Sequence, residues 1–394
     1  MTHDVYLDWA ATTPADSELM RSALEISLAS YGNPSSSHWA GKQASNILEE
    51  SRQRFLAALG MNHGSLIFTA GGTEADHIPM LALLKHLKRA ASQGKNIHII
   101  ISGIEHAAID CQARMLQKTG IEVTWVAPDT RGHIMPEAVA SHIRKETALI
   151  CIMAVNNETG AIQNIRGIST LIDDAARTLK IKRPWFHVDG IQILGKLPVA
   201  EYCLGADSIA FSAHKIRGPK GTGALWLSRP LESFVCGGGQ EKGMRPGTEN
   251  LFGALAFSLA GEKAQQMLET YAAHAQALEL RLLEGVTRIK GAMVVPERKP
   301  KDSGFVPSII SLSFPGLGGE TMVRALSDRG IAISTGSACS SRYKEKERRI
   351  LKAMGVPEDI SFSAVRVSTG ALTSEHEIDI FLEQAEDLYR RLKT

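Results

Sequence analysis

Between residues 65 and 227 the chain repeats one arrangement: a short apolar run, an amphipathic stretch, then another short apolar run. The runs read SLIFTAGG, NIHIIISG, IEVTWVAP, LICIMAVNN, WFHVDG, SIAFSAHK and GALWLS. Several are apolar on successive residues rather than on alternate ones, as strands covered on both faces are. Stretches such as 107–118 and 136–145 carry helical periodicity between them. Strand–helix–strand repetition predicts an α/β fold, with a mainly parallel sheet sandwiched by helices. A long helical segment, 261–286, follows. Beyond it lie fewer strands (AMVVP, SIISLSF, IAIS, AVRVS) and a closing helix near 375–392. The pattern predicts a large domain over 13–261, and a smaller α+β domain formed by 1–12 with 262–394.

In a sheet of this kind ligands sit beyond the C-terminal ends of the strands. Here those ends are chemically usable. The first run leads into Gly71, Gly72, Thr73 and Glu74 and then a helix, a place where free N–H groups can receive a phosphate. Later runs end in Glu105-His106, Asn156-Asn157, His187-Val188-Asp189 and Ser212-Ala213-His214-Lys215. One such ending is ordinary, and Asp189 could simply cap a helix. Several on one sheet edge describe a pocket with an anion cup, an imidazole, a carboxylate and an amine. A lysine amine condenses with an aldehyde, and a carboxylate keeps a pyridine nitrogen protonated. With phosphate donors added, this is what a protein must provide to hold pyridoxal 5'-phosphate. Lys220 competes with Lys215 for the amine role, but it lies beyond the Gly218-Pro219 turn and reads as structural or solvent-facing.

Other classes are disfavoured. The 44 Lys and Arg residues against 42 Asp and Glu leave a net charge of +2, no electrostatic footprint for nucleic acid or a membrane surface. The longest apolar run, 148–155, is far short of a bilayer span, and MTHDVYLDWAATTP lacks the features of a signal peptide. The five cysteines, at 111, 151, 203, 236 and 339, are odd in number and scattered, without any C-x-x-C spacing. They predict a reducing cytoplasm and neither a disulfide framework nor a metal site.

The motifs YLDWAATTP, YGNPSSSH, FTAGGTEAD, EH, VNNETGAIQ, HVDGIQ, FSAHKIRGPKGTGAL, GGGQEKGMRPGTEN, STGSACSS and VRVSTG span nearly the whole chain. In this order they resemble the cysteine desulfurases of nitrogen fixation and iron–sulfur cluster assembly, in the class V aminotransferase group of fold-type I pyridoxal-phosphate enzymes. The resemblance implies a seven-stranded, mainly parallel sheet and a homodimer. It implies conversion of L-cysteine to L-alanine, with the sulfur passed to a sulfur acceptor or iron–sulfur scaffold protein. By position it makes Lys215 the cofactor lysine, Asp189 the ring-nitrogen partner and His106 the residue stacked on the ring. Gln192 would meet the ring hydroxyl and Asn157 would order the substrate. Gly72, Thr73, Ser212 and His214 would hold the phosphate, joined by Thr248 of a second subunit. Arg366 would grip the substrate carboxylate, and Cys339 would accept the sulfur. His77 and Ile191 depart from the family pattern and put efficiency and substrate preference at issue.

The loop IAISTGSACSSRY places Cys339 among small residues, where a thiol can move between substrate and acceptor. Cys151, Cys203 and Cys111 read as structural, while Cys236, before three glycines, is open to either reading. Two rivals share most of these features: a selenocysteine lyase on the same fold, and a weakly catalytic sulfur-relay subunit.

Overall fold

The computed structural model of the chain describes residues 4–85, 96–336 and 348–393. After a two-residue strand β1 (Val5–Tyr6), the large sheet is built from β2 (Ser65–Thr69), β3 (His98–Ser102), β4 (Glu122–Val126), β5 (Thr147–Met153), β6 (Trp185–Asp189), β7 (Ser208–Ser212) and β8 (Gly223–Leu227). Their spatial order is β2-β8-β7-β6-β5-β3-β4. Strands β3 to β7 run parallel, and β8 alone lies antiparallel to both of its neighbours. The seven strands are therefore the seven apolar runs of the sequence.

Each strand feeds two cores. Ile100, Ile150, Ile152, Val188, Ile209 and Phe211 point to one face, where they meet Phe55 of the helix Trp39–Ala58 and Phe257 of the helix Leu251–Gln266. The Phe55 ring lies 5.9 Å from Phe211 and 4.4 Å from Phe257, centroid to centroid. Ile99, Ile101, Leu149, Ala210 and Leu225 point to the other face, under the helices Gly72–Ala82 and Ala107–Lys118. Two covered faces are why the runs lack polar alternation.

A separate apolar cluster joins Val5 and Leu7 to the chain beyond residue 277. It is built around β10 (Ile309–Ser313), which follows β9 (Met293–Val294), and β12 (Ala364–Ser368), which follows β11 (Ile331–Ala332). β12 and β9 flank β10 antiparallel, and β1 pairs with β11 in parallel. The helix Glu375–Leu392 closes this cluster, started by a Ser374–Glu377 capping box.

Two boundaries differ from the sequence reading. The helix expected over 261–286 is two helices, Leu251–Gln266 and Leu268–Arg288, which meet at Met267. The first begins ten residues early because the Asn250 side chain caps it at Gly253 N–H, 2.9 Å away. The helix expected over 136–145 stops at Ser141, since Thr147 Oγ1 takes the Arg144 N–H at 2.9 Å and draws the chain into β5. Among the described residues no helix is long and apolar enough to cross a membrane.

Candidate active site

β7 ends at Ser212, and a single 3-10 turn, Ala213–Lys215, carries the next residues across the sheet edge. The chain turns back at once because Gly218 N–H bonds Ala213 O at 2.9 Å. A Cβ on Gly218 would stand 2.8 Å from that carbonyl oxygen, so the turn needs glycine. Lys215 is thereby left half-buried, its Nζ donating to the carbonyls of Ala10 and Ala11 at 2.7 Å each. Gln192 Nε2 donates to the same Ala10 carbonyl at 3.0 Å, and its Oε1 accepts from Lys196 Nζ at 3.2 Å. Lys220 is exposed.

Asp189 closes β6, one strand away. Its Oδ1 accepts the Ile191 N–H at 2.9 Å, a turn rather than a helix cap. Burial, aided by the nearby Asp76 carboxyl, pushes Asp189 up to about 8. A cation placed against it would draw it back to the anion. His106 caps the helix Ala107–Lys118 by accepting Ala108 N–H on Nδ1 at 3.2 Å, which leaves Nε2 carrying the proton. Burial lowers this imidazole to about 4, with the Lys215, Arg349 and Arg366 charges adding to the effect. It is therefore neutral at physiological pH.

Gly72 and Thr73 open the helix Gly72–Ala82 and line a cavity of about 800 Å³ together with Ser212, His214 and His77. The first turn of that helix offers unpartnered N–H groups toward an anion. His214 is neutral too, lowered to about 4 mainly by burial, and its Nδ1 lies 3.1 Å from Thr12 Oγ1. Ile191 explains one departure from the family pattern: its Cδ1 is 2.2 Å from where a Cβ on Gly72 would stand. The large side chain fills the space that the glycine leaves. His77, on the cavity wall, has its Nε2 3.0 Å from Ala108 O.

Arg366 on β12 reaches the same edge from the other cluster. It donates through Nη1 to Asn157 O at 2.8 Å and through Nη2 to Asp8 Oδ1 at 2.7 Å, and its buried Nε has no partner. Asn157 Oδ1 is likewise buried and unpartnered. Orphaned polar atoms of this kind carry a desolvation cost that a polar ligand removes. Pyridoxal phosphate and an amino acid fit this set: a phosphate at the helix start, a ring nitrogen at Asp189, an aldehyde near Lys215 and a carboxylate at Arg366.

Two predicted residues do not join the others. Thr248 is exposed and outside the cavity of its own chain. Cys339 lies outside the described residues. Of the other thiols, Cys151 and Cys203 are buried, and burial pushes both up, Cys203 to about 12. Cys111 was expected to be structural, yet it is exposed on its helix. Cys236 is exposed as well.

Sequence reasoning missed a buried chain behind Asp189. Trp185 Nε1 donates to Ser208 Oγ at 2.8 Å; Ser208 Oγ lies 2.8 Å from His187 Nδ1, and His187 Nε2 lies 3.1 Å from Asp76 Oδ1. With the Trp185 proton already on Ser208 Oγ, the hydroxyl donates to Nδ1 and Nε2–H donates to Asp76. Ser208 is 0% exposed, so this serine–histidine–aspartate order is a support for β6 and not a nucleophile. Its only signal in the sequence is that His187 and Asp189 share a strand face. Glu105 is also structural, its Oε1 accepting from Met153 N at 2.8 Å and from Ser102 Oγ at 2.5 Å. Arg349 donates to Gly103 O at 2.7 Å and to Glu105 O, holding the turn that presents His106.

This fold, with a lysine and a carboxylate at adjacent strand mouths, defines a class. The aminotransferase class-V family model matches residues 5–381, and the chain belongs to that family. Within it, the chain is 34% identical to the cysteine desulfurase IscS of Dictyoglomus turgidum, over 100% of this chain and 96% of that protein. It is 32% identical to cysteine desulfurase IscS 1 of Archaeoglobus fulgidus, over 99% and 98%. Among solved structures a NifS-like protein superposes with a TM-score of 0.87 at 31% identity, covering 99% of this chain and 100% of that one.

Proposed function

We infer that the protein is a pyridoxal-phosphate-dependent cysteine desulfurase that converts L-cysteine to L-alanine and passes the sulfur to its own Cys339. The observation that carries this reading is the convergence of Lys215, Asp189, His106, Asn157 and Arg366 at one sheet edge, in a chain that matches one such enzyme over 96% of its length. The cofactor supplies an aldehyde that captures amines and a cationic ring that withdraws electrons from the substrate α-carbon.

The chain's own residues do the rest. Gly72, Thr73, Ser212 and His214 hold the phosphate, with Thr248 contributed by the second subunit of a homodimer. Asp189 keeps the ring-nitrogen proton, His106 covers one ring face and Gln192 offers its remaining N–H toward the ring edge. Arg366 Nε and Asn157 Oδ1, both without partners, bind and orient the amino acid. Lys215 Nζ, released from the Ala10 and Ala11 carbonyls, takes the α-proton. The Cys339 thiolate attacks the substrate sulfur. A sulfur–sulfur bond forms as the carbon–sulfur bond breaks; the electron pair of the broken bond stays with the substrate carbon skeleton, which is reprotonated and released as alanine, while a persulfide remains on the protein. The persulfide then serves a sulfur acceptor or iron–sulfur scaffold protein. Four free cysteines among the described residues fit a reducing cytoplasm.

Mass spectrometry after L-cysteine treatment tests the reading. One extra sulfur, removable by a reducing thiol, should sit on the peptide carrying Cys339, and Cys339→Ser should lose both the adduct and alanine formation. Sulfur on Cys236, or a serine variant with wild-type alanine production, would transfer the assignment to the lyase alternative.

A further inference from the structure

A second cavity, of about 440 Å³, borders the segment that carries Ala10. Lys215 borders it, but His106, Asn157, Asp189 and Arg366 do not. Its volume is within the range that encloses small organic ligands. Trp9, Leu194, Ile216, Ala264, Met267 and Leu372 give it an apolar wall.

The charges on that wall are unbalanced. Lys196, Arg217 and Lys263 line the cavity, and Asp16 is the one carboxylate among the described lining residues. Asp16 Oδ2 is already shared by Lys263 at 2.9 Å and Arg217 at 3.4 Å. Among the described residues Lys196 Nζ donates to the neutral Gln192 amide alone, at 3.2 Å. Burial accordingly lowers Lys196 to about 7, and the Lys215 charge adds to this. Thr369, 5% exposed, also lines the cavity, and its Oγ1 has no partner. A partly buried lysine whose amine meets only a neutral amide, beside an orphaned buried hydroxyl in a largely apolar chamber, calls for an anionic oxygen carried on an apolar body.

We propose that this cavity is an effector site for a small amphipathic carboxylate, the head group on Lys196 and the apolar body against Trp9, Leu194 and Met267. Its link to the reaction is short. Lys196 holds Gln192, and Gln192 and Lys215 share the Ala10 carbonyl. A carboxylate on Lys196 competes with Gln192 Oε1 and so loosens the group that positions Ala10 beneath the catalytic lysine.

Calorimetry on the cofactor-loaded enzyme tests this with octanoate as the probe. Octanoate should bind one per chain with a Kd of about 1 mM or tighter, the range open to a ligand of this size. Acetate has the charge without the body and n-octylamine the body without the charge, so each should bind at least tenfold more weakly. Ala264→Phe, which fills the chamber, should cost octanoate at least tenfold. Met267→Glu, at a position 47% exposed and therefore little risk to folding, should do the same by placing a like charge at the rim. Saturating L-alanine should shift octanoate affinity without competing for the site, since coupling through Gln192 and Ala10 acts in both directions. The proposal is overturned by absence of octanoate binding, by equal binding of n-octylamine, by unchanged affinity in Met267→Glu, or by competitive displacement with L-alanine, which would place octanoate at Arg366 instead.

Discussion

At the residue scale, the glycine at position 72 and the isoleucine at 191 are two halves of one packing solution where the helix Gly72–Ala82 begins. A methyl group on residue 72 meets Ile191 Cδ1 at 2.2 Å, a contact no side chain accepts without moving. Gly72→Ala should therefore weaken cofactor binding by about tenfold, an overpacking cost of ~1–3 kcal/mol. Ile191→Ala in the same chain should recover most of it, and cofactor titration of both single variants and the double variant measures the coupling. Equal losses that simply add would show that the two residues do not interact. Asp189 yields a second prediction at this scale. An unfolded carboxyl loses its proton near its ordinary value of about 3.9, and the folded one near 8. Between those values the folded state holds a proton that the unfolded state has released, so the cofactor-free protein loses stability as pH rises through that window. Asp189→Asn removes this term. Its melting temperature, measured without cofactor, should gain on the wild type as pH moves from 5 to 8; a constant difference would contradict the burial argument. Asp76 and Glu105, which burial also raises, keep part of the slope in both proteins.

At the element scale, the large sheet is held by what its two faces touch. Phe55 is 0% exposed and is the ring through which the helix Trp39–Ala58 meets both β7 and the helix Leu251–Gln266. Phe55→Ala should cost about 3–5 kcal/mol, the usual penalty for removing a fully buried aromatic ring. Denaturant unfolding should show that loss together with weaker cofactor binding, because β7 ends in Ser212 and delivers Lys215. A loss below about 1 kcal/mol would mean that the three-ring contact is not a core contact. Arg52 matters for a related reason. Its Nη1 bonds Glu241 Oε2 at 2.8 Å, and Glu241 Oε2 also accepts Phe68 N at 3.0 Å. This buried pair ties the glycine-rich segment that carries Thr248 to strand β2, which leads into Gly72.

At the scale of the whole molecule, the active site is incomplete within one chain if Thr248 serves a neighbour. Leu28, Tyr31 and Trp39 are exposed at 68%, 75% and 70%, a large apolar area for a free surface and one that a second copy would cover. A mixing experiment settles whether Thr248 acts across the interface. Lys215→Ala and Thr248→Ala are each impaired at limiting cofactor. In a mixed dimer one of the two sites combines an intact lysine with an intact threonine from the other chain. Mixing the two variants should therefore restore activity toward half that of the wild type per mixed dimer. No recovery would show that Thr248 acts in its own chain or not at all.

The amino-acid sequence by itself determined the sheet, because burial on both faces writes a strand as an unbroken apolar run whatever its neighbours are. It also marked Lys215, Asp189, His106 and the Gly72-Thr73 cup, since each follows directly on such a run and has nowhere to sit except the sheet edge. Three things were decided only in the folded molecule. The order of the strands, with β8 reversed between β2 and β7, depends on a pairing of β8 with β2, a segment more than 150 residues earlier in the sequence. The His187–Asp76 support behind Asp189 arises because a helix happens to cross that face of β6, which no local pattern specifies. The contact of Arg366 with Asp8 and Asn157 joins three distant parts of the chain, and only packing between the two apolar clusters brings them within hydrogen-bond reach. Local patterns record how each segment meets water; tertiary contacts record how segments meet each other, and that information is spread too thinly along one chain to be read from it.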